Sequence, residues 1–464
     1  MRYFAIAILA LTASSILVNA QVSLATAVQI AKAEDSRTYD AKLEALMASP
    51  NADVRHRAAL AAGRIGDGKA VAALVKLVEK DASDDVRVTA VFALGEIESL
   101  DAAAAVVAVL DDLKAPAELR GRAIEAAGKI AAANLPHDDA KQLGLAILSA
   151  LLFEDTKRSA AYENVVRLGL TALLRVRPPG ADDVAKRFLR YSNAAVVTDA
   201  LNALARLRSR EANIEVRQLL KTAADPLVRA NAARVLGAAE AKALVPELLA
   251  AATEDKDSRV RVSAVRSLTA LNDRSAAGPL LARGNILLAG IGAAPYRTPP
   301  SQKNELVEIT VAVGRLLQGT ADPVAIKFFK DFGQRDRLVT PDIFVALARV
   351  SPSEMLKTYD YSHCAFKKSQ PTCWKYLSGL DQGRAELARL PITDPQRTEA
   401  LEDLRSAVKA EKELEFAADT NNSRMAIPDR LRSFAAFKTN DAAEIIRPFL
   451  TYGDVQVRAA AAGL

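Results

Sequence analysis

The stretch NADVRHRAALAAGRIGD, which begins at Asn51, returns along the chain with its small and large side chains in register. Counting Asn51 as position zero, Val54 and Arg55 fall at three and four, Ala58 and Ala59 at seven and eight, Ala62 at eleven, Gly63 at twelve and Ile65 at fourteen. From Ser83 the series is Val86, Arg87, Ala90, Val91, Leu94, Gly95 and Ile97. From Asp225 it is Val228, Arg229, Ala232, Ala233, Leu236 and Gly237, and from Asp257 it is Val260, Arg261, Ala264, Val265, Leu268 and Leu271. A proline stands at 116 where a cap is expected, yet Leu119, Arg120, Ala123, Ile124, Ala127, Gly128 and Ile130 hold the frame. The first three copies are 32 and 33 residues apart, and Asn193, Asp225 and Asp257 follow one another at 32. A fixed period of this kind marks a repeat architecture.

Each position has a physical task. Asn, Ser or Asp at zero accepts hydrogen bonds from the free N–H groups of a first helical turn, and Asp53, Asp85 and Glu118 complement the positive end of the helix dipole. Pro226 sits where a missing N–H costs nothing. Apolar residues at three, seven, eleven and fourteen line one helical face. The glycine at twelve either admits a neighbouring backbone or helps to end the helix. A second apolar-periodic run follows each first one, at 68–80, 101–113 and 241–253. Half of the 464 residues are hydrophobic but only 5% are aromatic, and alanine dominates the apolar half. A core of such small side chains needs many close helix contacts, and two helices alone cannot bury both their apolar faces. The expected fold is therefore all-α, an α-solenoid of stacked helix pairs.

These residues resemble the HEAT family of helical repeats, in particular the short subtype also found in phycobilin lyases, whose pattern runs cap, proline, acid, valine, arginine, alanines and Leu-Gly-x-Ile-Gly. The likeness is specific in the copies from Asn51, Ser83, Pro116, Asp225 and Asp257, and looser near Glu163, Asn193 and Thr340. It implies a HEAT/armadillo-like right-handed superhelix with the second helices on the concave side. It does not imply lyase chemistry, because only the generic repeat is shared. In related arrays the arginine at position four reaches an acidic residue of an adjacent repeat. The resemblance thus implies an inter-repeat ladder of Arg55, Arg87, Arg120, Arg229 and Arg261; the alternative is solvated arginines whose stems cover alanines.

The ends differ from the middle. Residues 1–20 combine Arg2, a short apolar run and small residues at Val18 and Ala20, the pattern of a signal peptide cleaved after Ala20, so the mature chain is expected to be exported, in the periplasm or outside the cell; an uncleaved anchor is the alternative. Residues 21–50 read as capping helices, 51–285 as regular repeats, 286–303 as an insertion loop and 304–360 as degenerate repeats. Residues 361–390 form a cysteine-containing segment, and 391–464 read as C-terminal helical repeats. The last of these restarts at Asp454 with Val457, Arg458, Ala461 and Ala462 and stops in mid-repeat, so either the parent chain continues or a capping helix closes it. Signal, array and abrupt end together resemble bacterial exported proteins in which such an array precedes a cyclophilin-type peptidyl-prolyl isomerase. That resemblance implies a client-binding arm.

The chemistry-bearing residues are few. A formal charge of +6 is too mild to indicate nucleic-acid binding. In an oxidising compartment the two cysteines, Cys364 and Cys373, are expected to form a disulfide. With His363 they supply three zinc-type ligands but no fourth at a usual spacing. His56 and His137 read as surface residues. GIGAAP at 290–295 lacks the third glycine and the lysine of a phosphate loop. No catalytic, cofactor or metal motif emerges, and the expected role is a non-catalytic scaffold for a protein partner. Candidate contacts are a basic row, Lys186, Arg187, Arg190, Arg217 and Lys221, suited to an acidic partner, and Tyr296 in the insertion; a solvated basic face is the alternative.

Overall fold

The computed structural model describes residues 22–157, 162–291, 299–336, 340–361, 373–414 and 424–464. Among them are 25 α-helices, short 3-10 turns and no strand. The chain forms two compact units, which meet in sequence at Leu207 and Arg208.

In the first unit α1 (Leu24–Asp35) and α2 (Ala41–Met47) precede α3 (Ala52–Ile65) and α4 (Val71–Lys80). The pairs α5 (Asp84–Ile97) with α6 (Ala103–Asp111), and α7 (Ala117–Asn134) with α8 (Asp138–Lys157), follow. Then come α9 (Glu163–Val176), α10 (Ala181–Arg187) and α11 (Ala194–Leu207). The second unit begins with α12 (Asn213–Thr222), α13 (Pro226–Ala238), α14 (Val245–Glu254), α15 (Ser258–Leu271) and α16 (Ala277–Ala289). It continues through α17 (Pro300–Leu316), α18 (Pro323–Asp336), α19 (Asp342–Val350), α20 (Pro352–Thr358) and α21 (Cys373–Glu386). It ends with α22 (Pro395–Leu414), α23 (Ile427–Ala435), α24 (Ala442–Ile446) and α25 (Val455–Ala462). In each unit the odd-numbered helices pack one on the next, as α3 on α5 and α7, or α13 on α15 and α17, and the even-numbered helices pack beside them. This is an α-solenoid of stacked helix pairs.

The repeat positions explain the regularity. The Asn51 side chain accepts from the Asp53 N–H at 2.9 Å, and Asp225 and Asp257 do the same for Leu227 and Arg259 at 2.7 and 2.8 Å. Helices α3, α5 and α15 end on Gly66, Glu98 and Asn272, all left-handed and all at position fifteen of their copies. Termination thus belongs to position fifteen, and the glycine at twelve has the other task. A methyl group on Gly63 would lie 2.7 Å from the Ala93 Cα, and one on Gly95 would lie 2.9 Å from the Ala126 Cα. Gly128, Gly237 and Gly314 meet Ala172, Ser267 and Ala346 equally closely. Bare glycine backbone in one repeat therefore faces a small residue in the next, which lets an alanine-rich layer reach van der Waals density.

One expectation needs adjustment. The insertion loop expected at 286–303 is shorter, because α16 runs on to Ala289 and α17 starts at Pro300. The physical reason is amphipathicity: Leu287, Leu288 and Ile291 are buried while Ile286 is exposed, so the apolar run completes a helix and its exit.

Candidate functional site

The position-four arginines are the most regular polar feature of the array. Arg55 grips Asp81 in a two-pronged pair, Nε to Oδ2 at 2.7 Å and Nη2 to Oδ1 at 2.8 Å. Its Nη1 donates to the carbonyls of Ser49 and Pro50 at 2.9 and 3.2 Å. Arg229 repeats the arrangement with Asp255 at 2.7 and 2.9 Å and with the Ala223 and Ala224 carbonyls at 2.8 and 3.0 Å. One guanidinium thus ties the turn before its own helix to the turn before the next repeat, using a planar fork that lysine lacks. Asp81 and Asp255 also accept from the backbone N–H groups of Ser83 and Asp257, so the same carboxylates shape the entry to the following helix.

The other three arginines find different partners. Arg261 pairs with Glu305 on α17 at 2.7 and 2.9 Å and donates to the Asp255 carbonyl at 2.6 Å, so Arg229, Asp255, Arg261 and Glu305 form one connected chain. Arg283 joins it through Glu305 at 2.8 Å. Arg120 is buried against Glu154 of α8 at 2.8 Å. Arg87 bonds to the Val78 carbonyl at 3.0 Å and to Asp84 at 3.2 Å. Its difference has a simple cause: Leu113 stands 26 residues after Arg87, where Arg55 and Arg229 find their aspartates.

The Asp81 pair makes the array sensitive to acid. The hydrogen bonds from Arg55, helped by the Ser83 N–H, hold the Asp81 carboxyl below its ordinary 3.8 against the opposing effect of burial. A depressed carboxyl stabilises the folded state fully above its unfolded value, and that stabilisation is lost as pH falls through the folded value, hence below 3.8. We expect the urea midpoints of wild type and Asp81→Asn to differ at neutral pH and to converge as pH is lowered from about 5 to about 2.

A second charged cluster lies near the C-terminal end of the second unit. Asp381 on α21 is 0% exposed and accepts from the Tyr361 hydroxyl at 2.6 Å and from Arg430 Nε at 3.0 Å. Arg430, on α23, also pairs with Glu411 of α22. Arg384 binds Asp403 at 2.7 Å, and the Tyr361 ring lies between the two guanidiniums at 4.8 and 5.2 Å. Burial pushes the Asp381 carboxyl up, although Arg430 and Tyr361 oppose it. Burial likewise raises the Tyr361 hydroxyl well above its ordinary value. Sequence reading did not group these residues; the only available signal was the acid and arginine at the unit's polar helix positions.

The basic row is spread over both units. In the first, Lys186 lies 3.7 Å from Asp183 and Arg187 3.3 Å from Asp155, and these four residues with Arg190 line a cavity of about 470 Å³. In the second, Arg217 and Lys221 on α12 share the single carboxylate of Glu247 at 2.5 and 3.8 Å. His56 lines a groove on α3, α5 and α7, and His137 is exposed. Cys373 is buried and disulfide-bonded. Cys364, His363 and Tyr296 lie outside the described residues. Among the described residues there is no group of three or more metal-type ligands, and no helix is long and apolar enough to cross a membrane.

Comparison with known proteins agrees with this architecture. A family model described as HEAT repeats matches residues 39–128 and 214–285. Importin beta has the same fold, with a TM-score of 0.57 at 13% identity over 94% of this chain and 65% of that one. YibA of E. coli aligns with 64% of this chain and 98% of its own at 17% identity and a TM-score of 0.45. The CpcE–CpcF complex of phycocyanin lyase from Nostoc sp. aligns with 49% of this chain and 85% of that one, at 18% identity and a TM-score of 0.32. No curated protein sequence matches significantly. Residues 39–128 and 214–285 match the HEAT-repeat model, and the chain has the α-solenoid fold of HEAT and armadillo proteins.

Proposed function

We propose that the chain is an exported, non-catalytic scaffold whose helical repeats bind an acidic segment of another protein. The observation that carries this reading is the pair of cations on α12: Arg217 and Lys221 are each about half exposed, and both reach the carboxylate of Glu247. Two half-exposed cations side by side attract an acidic partner, which favours fast encounter and selects against basic partners. In the first unit Lys186, Arg187 and Arg190 border a cavity of similar character. The disulfide at Cys373 supports an oxidising compartment, in keeping with a signal peptide ending at Ala20. The narrower version, a client-binding region preceding a cyclophilin-type isomerase domain, makes the same prediction for this array.

The test uses the mature chain as bait in envelope extract, beside an Arg217→Glu/Lys221→Glu variant. Partners are identified by mass spectrometry and remeasured as purified proteins. The charge reversal is expected to weaken the acidic partner at least about tenfold, because each lost attraction becomes a repulsion. Equal binding by wild type and the charge-reversed variant overturns the assignment to α12. N-terminal sequencing of the cellular protein is expected to begin at Gln21; a retained Met1 with the protein in the cytoplasm overturns export.

A further inference from the structure

The first-helix face of the first three regular repeats carries a groove of about 500 Å³ that the scaffold reading above does not use. Its floor is the half-buried Leu60, Val88 and Phe92. Its rim bears one carboxylate from each repeat, Asp53, Asp85 and Glu118, all at position two and all exposed. None of the three forms an ion pair among the described residues. The cations nearby are already committed: Arg122 pairs with Glu125 at 2.8 Å, and Lys129 pairs with Glu96 and Glu125 at 2.6 and 2.8 Å. Complementing a helix dipole accounts for an acid at position two, but not for an apolar floor beside three such acids.

One further feature points to a ligand in this groove. Thr89, only 8% exposed, lines the groove, and its hydroxyl has no hydrogen-bond partner among the described residues, although hydroxyls elsewhere in the array, such as Thr269 and Thr310, bond back to their own helix. This hydroxyl opens on the groove, where an incoming polar group replaces water as its hydrogen-bond partner. The Phe92 ring is taken up by the chain's own cations, with Lys129 Nζ at 4.9 Å and the Arg122 guanidinium carbon at 5.6 Å from its centroid, so it serves the groove as apolar floor. We propose that this groove docks a basic, amphipathic segment of a partner protein, with its lysines or arginines on Asp53, Asp85 and Glu118, its apolar side chains on Leu60, Val88 and Phe92, and a backbone or side-chain polar group on Thr89. The local acidity runs against the chain's overall charge of +6, so general attraction to the protein does not place a basic segment there.

The experiment is fluorescence anisotropy of the full mature chain with a labelled heptapeptide of alternating lysine and leucine, against its counterpart with glutamate in place of lysine. The lysine peptide is expected to bind and the glutamate peptide not to. The Asp53→Asn/Asp85→Asn/Glu118→Gln variant, its helical circular dichroism retained, is expected to lose about tenfold or more in affinity, with a reduced salt dependence. Thr89→Val is expected to weaken binding severalfold, because it removes the hydroxyl while keeping the shape. Arg217→Glu/Lys221→Glu is expected to leave this binding unchanged, which separates the groove from the acidic-partner surface. Undetectable lysine-peptide binding, or equal affinity in the triple variant, overturns the proposal. Sedimentation showing a dimer of the chain that the triple variant dissociates also overturns it, by making a second copy the occupant.

Discussion

Arg430→Met is expected to cost the second unit about 3–5 kcal/mol, the range seen when one partner of a buried ion pair is removed. Arg430 is 3% exposed and faces two acids, Asp381 and Glu411, of which Asp381 has no exposure to solvent at all. Without the guanidinium, Asp381 must either remain as an uncompensated buried anion or take up a proton, and both states lie above the paired one. The sole tryptophan, Trp374, sits in the first turn of α21, the helix that carries Asp381, so its fluorescence reports unfolding of this region. A urea titration followed at Trp374 is expected to show a lowered midpoint. The double variant Arg430→Met/Asp381→Leu is expected to recover part of the loss, since it removes the more deeply buried of the two stranded charges while Glu411 remains. A double variant as unstable as the sum of the two single changes would mean that packing, and not charge, holds this cluster.

Gly314→Ala is expected to destabilise the same unit by about 1–3 kcal/mol, the cost of overpacking, although alanine improves helix propensity by about 1 kcal/mol. The added methyl would lie 2.8 Å from both the Cα and the Cβ of Ala346, so α17 and α19 have to separate. Gly278 is the control. It lies in α16 with nothing within 4 Å of a built Cβ and no positive φ, and Gly278→Ala is expected to stabilise by about 0.4–1 kcal/mol. Urea unfolding followed by circular dichroism checks both signs. Two helical glycines answering the same substitution in opposite directions would separate close approach from propensity.

Much of the fold is legible in the sequence because each repeat states its own boundaries. The caps at Asn51, Asp225 and Asp257 open α3, α13 and α15 at those residues, and the apolar positions counted from them are buried. The role of the glycine at twelve was open between approach and termination, since both use a missing side chain; only the neighbouring helix decides. The arginine at four was visible, but its partners were less so. Asp81 and Asp255 could have been found two residues before the next cap, whereas Glu305 lies 44 residues from Arg261 and answers to no repeat spacing.

The C-terminal cluster was not legible for a different reason. Asp381, Arg384 and Arg430 are charged residues on helices, which sequence patterning assigns to solvent. They are buried because α21, α22, α23 and the chain at Tyr361 converge and supply one another's partners. The groove over α3, α5 and α7 was also hidden. Each rim acid has a sufficient local reason in its helix dipole, and the groove they share is a property of the packed state alone.

The central claim is that stability resides in the interface between successive first helices rather than within a helix pair. Hydrogen–deuterium exchange of wild type and Gly314→Ala tests it most directly. The account predicts that protection falls together in α17 and α19, on both sides of the crowded contact, while α13, farther along the same unit, is little changed. Faster exchange confined to α17, with α19 as protected as in the wild type, would contradict it.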